Sequence, residues 1–116
     1  MSSLDLKPDH LAMVRECLLA YVPDAEVWAY GSRTTGNSHE ASDLDLVLRN
    51  PNDLMARQEN LWELKEAFSE GDLPIMVDVL DWARLPDSFH ENILRHHETI
   101  QRAPRVGTNP LAEDES

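Results

Sequence analysis

Along residues 8–21 the apolar positions Leu11, Val14, Leu18 and Tyr21 recur at spacings of three and four, which puts them on one face of a helix. Pro8 suits the first turn of that helix, and Pro23-Asp24 ends the pattern. Glu26-Val27-Trp28-Ala29-Tyr30 then reads as a short strand that stops at Gly31. Residues 32–42 are small and polar and hold a loop or one short helix. Over Asp43–Arg49 acids and leucines alternate, the period-two mark of a strand with two unlike faces.

Asn50-Pro51-Asn52 predicts a turn, with Asn52 or Asp53 as the N-cap of a helix. Leu54, Leu61, Leu64 and Phe68 fall on one face of that helix, and Gly71 closes it. Ile75–Leu80 predicts a third strand, and a last helix begins near Pro86 with Phe89, Ile93 and Ile100 on one side. The order is αβ(α)βαβα, which predicts an α/β fold: a single domain over residues 1–102, a small mixed β-sheet flanked by helices. Residues 103–116, with two prolines, a glycine and an acidic end, predict a flexible acidic tail.

Composition narrows the partners. Among 116 residues, 22 Asp+Glu stand against 10 Lys+Arg, a formal net charge of −12. Nucleic-acid binders displace counterions with Lys/Arg surfaces, and this chain has too few cations to hold DNA or RNA alone. A basic protein partner, or a small anion neutralised by metal, suits it better. No apolar run approaches the ~20 residues that span a bilayer, so no membrane segment and a cytoplasmic location are expected. The one cysteine, Cys17, reads as a small core-facing hydrophobe.

Candidate chemistry is concentrated in Gly31–Leu46. Gly31 and Ser32 stand where a strand turns into a short helix: glycine admits close backbone approach, and free N–H groups there attract phosphate oxygens. Arg33 could meet a terminal phosphate with paired hydrogen bonds. Asp43 and Asp45, two apart on a strand, point to one face and repel unless a cation lies between them. Oxygen ligands of this kind suit Mg²⁺, with Mn²⁺ the alternative ion. Asp78 is the lone charge in the apolar run Ile75–Leu80, where burial without a partner or metal would be costly. Should its strand lie beside Asp43–Leu48, three carboxylates could hold two metals ~3.5–4 Å apart across an in-line displacement.

Other features read as structural. His96 and His97 are adjacent and point about 100° apart on a helix, which disfavours a shared metal site. Trp28, Trp62 and Trp82 read as core residues, and Asp72 and Asp81 as solvated strand ends. The segment SDLDL lacks the central glycine and closing glutamate of an EF-hand loop. His39 and Glu40 have no assigned role.

Gly-Ser, a ten-residue spacer and Asp-Leu-Asp-Leu, with a third acid on a later strand, resembles the signature of the DNA-polymerase-β-like nucleotidyltransferases. The segments GSRTTG, SDLDLVL, VDVLDW and LPDSFHENIL look like the minimal nucleotidyltransferases of that superfamily, over roughly residues 10–102. The resemblance implies Mg²⁺-dependent transfer of a nucleoside monophosphate, AMP from ATP, to a hydroxyl acceptor. It implies that Gly31 and Ser32 hold the triphosphate, that Asp43 and Asp45 bind both metals, and that Asp78 binds the one serving the acceptor. It also implies a helical HEPN-domain partner, with one of its tyrosines as acceptor, and an antitoxin role. Two rival readings stay open: a non-catalytic module that neutralises such a partner by contact, and a small-molecule adenylyltransferase, against which the missing acceptor-binding domain argues.

Overall fold

A computed structural model describes residues 4–35 and 43–103. Helix α1 (Pro8–Tyr21) leads into strand β1 (Glu26–Tyr30) and the single-turn helix α2 (Ser32–Thr35). Strand β2 (Leu44–Arg49), helix α3 (Leu61–Glu70) and strand β3 (Val77–Asp81) follow. A 3₁₀ turn (Trp82–Arg84), helix α4 (Asp87–Arg95) and strand β4 (Glu98–Gln101) come last among the described residues. The sheet order is β3-β2-β1-β4. Strand β1 is antiparallel to β2 and β4, while β2 and β3 are parallel. A parallel pair needs a crossover rather than a hairpin, and α3 lies in that connection.

The alternation read in the sequence separates two cores. Val27, Ala29, Leu44, Leu46, Leu48 and Val79 point to one face and pack with Val14 and Leu18 of α1 and Leu64 and Phe68 of α3. Trp28 and Val47 point the other way, where they meet Trp82 and Ile93, with Tyr30, Leu85 and Phe89 at the margin. Cys17 packs at the edge of the first core, and burial followed by the Glu16 charge raises its thiol pKa.

Three elements differ from the expectation. The helix predicted from Asn52 or Asp53 begins only at Leu61. Residues before it are held in turns by side chains: Asn50 Oδ1 accepts the Asn52 N–H at 3.0 Å, and Asp53 Oδ1 accepts that of Met55 at 3.2 Å. Such bonds compete with the helical ladder, and Leu54 is 40% exposed rather than packed under a helix. The last helix ends at Arg95, so Ile100 reaches the core from β4 and not from a helix. Four residues are too few to announce a strand by periodicity. The edge is secured from afar, Gln101 Nε2 donating to the carbonyls of Val22 and Ala25 at 2.8 and 2.9 Å.

The third difference is Asp81, which is 3% exposed rather than solvated. Its carboxylate accepts the N–H groups of Gln58 at 3.0 Å and Ala83 at 3.3 Å. Burial of that charge is offset by these bonds and by Arg84 at 3.7 Å. Among the described residues no helix is long and apolar enough to cross a membrane. Residues 104–116 of the expected tail, and His39 and Glu40, lie outside the described residues.

Candidate active site

Strand pairing assembles the site. In register, Tyr30 of β1 faces Asp45 of β2, and Asp45 faces Asp78 of β3. Three polar side chains therefore form one row across adjacent strands, which lie about 4.8 Å apart. Asp43 stands one residue ahead of β2, on the same side as Asp45 by the two-residue period, and is exposed. Asp78 is also exposed, so the cost of burial is not what marks it. The buried acid of β3 is Asp81 instead.

Gly31 brings the turn after β1 onto the same carboxylate. Its φ is +85°, a region that side-chain-bearing residues rarely adopt. A Cβ built there would lie 2.5 Å from Asp45 Oδ2. The glycine is thus required twice, once by the backbone and once by the acid beside it. Thr34 closes the turn, its N–H and Oγ1 both donating to the Gly31 carbonyl at 3.0 and 2.7 Å. Ser32 opens α2 immediately beyond.

Arg33 takes another course. It is 6% exposed, and one guanidinium nitrogen donates to the Asp5 carbonyl at 2.7 Å. The Asp5 N–H returns a 2.7 Å bond to the Arg33 carbonyl, so this residue clasps the segment preceding α1. It lines a cavity of about 410 Å³ together with Lys7 and His10.

Electrostatics tie the row together. Burial, then the charges of Asp78 and Asp43, raise the Asp45 carboxyl above its ordinary range. Burial, then Asp45 and Asp78, likewise raise the Tyr30 phenol. The acids crowd one another in the way that binding a cation would relieve. Among the described residues no three His, Cys, Asp or Glu side chains form a ready-made metal cage. The donor set still fits Mg²⁺ or Mn²⁺, because hard ions of this kind bind through one or two carboxylates and complete their shell with substrate phosphates and water.

Behind the row the sheet face is aromatic. Tyr30 meets Phe89 edge-on at 5.9 Å, and Trp28 meets Trp82 edge-on at 5.7 Å. The Arg49 guanidinium lies 4.2 Å from the Trp28 ring and 4.7 Å from that of Trp82, with Glu26 Oε1 3.1 Å from its Nε. His97 stacks on Trp28 and His90 on Trp82. His90 Nε2 donates to the Trp82 carbonyl at 2.8 Å, His97 Nδ1 to that of Ile93 at 3.0 Å, and His96 Nε2 to that of Thr34. His96 and His97 thus address different carbonyls. Trp28 and Trp82 are core residues as expected, whereas Trp62 is 68% exposed. Sequence reasoning did not single out Tyr30. Its place one residue before Gly31, on the strand's outer parity, was the available signal.

Comparison with known proteins gives consistent matches. The family model described as "Polymerase beta, Nucleotidyltransferase" matches residues 23–104. A Haemophilus influenzae protein named "Probable protein adenylyltransferase MntA" is 43% identical over 113 residues, covering 96% of each chain. A crystal structure of a toxin–antitoxin with AMP-PNP superposes with a TM-score of 0.63 at 19% identity, over 90% of this chain and 77% of the other. A crystal structure of the MntA–HepT toxin–antitoxin gives 0.56 at 15% identity, over 94% and 78%. At these identities the structural likeness establishes the fold.

Proposed function

The chain belongs to the polymerase β nucleotidyltransferase family, and from that premise we propose that it transfers AMP from metal-bound ATP to a hydroxyl on a helical toxin partner. The observation that carries this reading is the meeting of the two halves of the motif. Asp45 faces Asp78 across the β2–β3 ladder, and the Gly31 turn closes onto the Asp45 carboxylate. A phosphate-binding turn and a carboxylate pair in contact are what nucleotidyl transfer requires. The high identity to a named protein adenylyltransferase supports a protein acceptor, and the toxin–antitoxin neighbours support a toxin as that protein.

In this reading Asp43 and Asp45 would hold Mg²⁺ or Mn²⁺, with two ions expected, and Asp78 would help hold the one that serves the acceptor. A bound divalent ion supplies charge neutralisation between carboxylates and phosphates, a service the family's members generally draw on. The backbone of Gly31 and Ser32 orients the triphosphate. The acceptor oxygen forms the new bond to the α-phosphorus, the bond to pyrophosphate breaks, and the hydroxyl proton passes to solvent water. The protein contributes position and a prepared electrostatic field rather than a covalent intermediate. Arg33 donates one guanidinium N–H to the Asp5 carbonyl and so helps hold α2 against the segment before α1.

The test uses a HEPN-domain protein from the same genome as the candidate acceptor, incubated with a sub-stoichiometric amount of the chain, ATP and Mg²⁺. Intact mass should show a nucleotide added to the partner, with loss of toxin activity that persists after the chain is removed. Asp78→Asn should still bind ATP and metal yet add nothing. Inhibition that needs equimolar chain, leaves the partner's mass unchanged and survives Asp78→Asn would replace transfer with masking by contact.

A further inference from the structure

On the acid-bearing side of the sheet, a cavity of about 500 Å³ opens between the turns before α3 and the outer surface of α4. Trp82 and Leu85 form its inner part, and Leu54, Met55 and Leu94 its lips. These lips are 40%, 80% and 51% exposed, an unusual concentration of bare apolar surface in so acidic a chain. Asp87 and Glu91 line the same cavity and share the α4 face with Leu94 at intervals of four and three.

The groove is fixed rather than incidental. Asp81 accepts the N–H of Ala83, which lines the cavity, and that of Gln58, three residues beyond the Met55 lip. One buried carboxylate thus ties the end of β3 to the turn that lines the cavity and to the chain that leads away from its lip. The other face of α4 carries Phe89 against Tyr30, the residue opposite Asp45. An occupant of the groove would therefore sit about one helix diameter, roughly 10 Å, from the acid row.

Resting on the transfer reading above, we infer that this groove seats an amphipathic helix of the acceptor-bearing partner, with apolar residues inward and Lys/Arg toward Asp87 and Glu91. Charge selects this occupant. The chain's own tail brings Glu113, Asp114 and Glu115 to an acidic rim, and a second copy brings −12 against −12. A basic amphipathic helix meets both the apolar lips and the rim, and exposed Met55 adapts to its side chains.

The experiment measures binding and AMP transfer to a HEPN-domain candidate partner from the same genome. It compares wild type, Met55→Glu/Leu94→Glu, Asp87→Lys/Glu91→Lys, and Leu19→Glu as a remote exposed apolar control. The paired apolar substitutions should weaken binding by about tenfold or more. The charge reversal should weaken it chiefly at low salt, and the control should stay within about twofold. All variants should keep the melting temperature and the increment produced by ATP with Mg²⁺. A Met55→Glu/Leu94→Glu chain that binds and labels like wild type, or a control that fails equally, overturns the groove alone. A wild-type chain that neither binds nor labels the partner overturns the proposed function and the groove with it.

Discussion

On the face covered by α1 and α3, Val27, Ala29, Leu44, Leu46, Leu48 and Val79 are all 0% exposed. On the opposite face Asp45 and Tyr30 are half-buried, Asp78 is exposed, and only the aromatic cluster behind them is closed. The same strands build both faces, one residue out of phase. The first face gains stability by removing apolar surface from water. The second holds carboxylates at neighbouring positions, a repulsive arrangement that persists because the first face holds the backbone in place. Strain is tolerated at a functional site when the surrounding structure determines it.

The comparison predicts separable failures. The largest effect should come from Asp45→Asn, which leaves the apolar face untouched. AMP transfer should fall on the order of 100-fold or more. The rise in melting temperature produced by ATP with Mg²⁺ should vanish as well, while the metal-free protein melts no earlier than wild type. A retained ligand increment would detach Asp45 from the site. Leu46→Ala, its neighbour in sequence, should do the reverse. It should cost about 2–5 kcal/mol in denaturant unfolding, with the ligand increment preserved in the molecules that remain folded.

Gly31→Ala joins the two faces' concerns. The positive φ and the 2.5 Å approach to Asp45 Oδ2 predict a loss of about 1–3 kcal/mol together with impaired ATP binding. Calorimetry and thermal shift would separate the two, and wild-type nucleotide affinity in this variant would contradict the close contact.

A smaller effect should follow pH. The folded state raises the Asp45 carboxyl, so it holds that proton more tightly than the unfolded chain does. The resulting stability is full below the unfolded value, about 3.9, and is lost as pH rises through the folded one. In the absence of metal, the melting temperature of wild type relative to Asp45→Asn should therefore decline across that window and then level. A flat difference would show that the fold does not raise the Asp45 carboxyl. The smallest expected signal is none: at physiological salt the isolated chain should not retard DNA or RNA, given its charge of −12. Micromolar retardation would reverse the reading of its surface.

How far the residues alone disclose this depends on how local the determining contacts are. Helix α1 and strand β1 have the bounds their periodicity announced, since the pattern that specifies them lies within the segment. The short path from Gly31 to Asp45 was likewise legible, because a turn and a strand carry both ends of the motif. That Asp78 faces Asp45 depended on β3 lying parallel beside β2, which only the crossover through α3 decides. Asp81 looked like a solvated strand end because one of its partners, Gln58, comes from a segment 23 positions away, while the other, Ala83, is only two residues on. Strand β4 exists through pairing with β1, 69 positions away at Ala29↔Glu98 and 71 at Trp28↔Thr99, and its four residues hold no periodic signal of their own. Arg33 pointed to phosphate by its place in the motif, and the fold turned it to Asp5. Periodicity and motif spacing act over a few residues and are written in the chain; burial, register and the groove on α4 come from surfaces meeting across long loops, and only the folded structure fixes which surfaces those are.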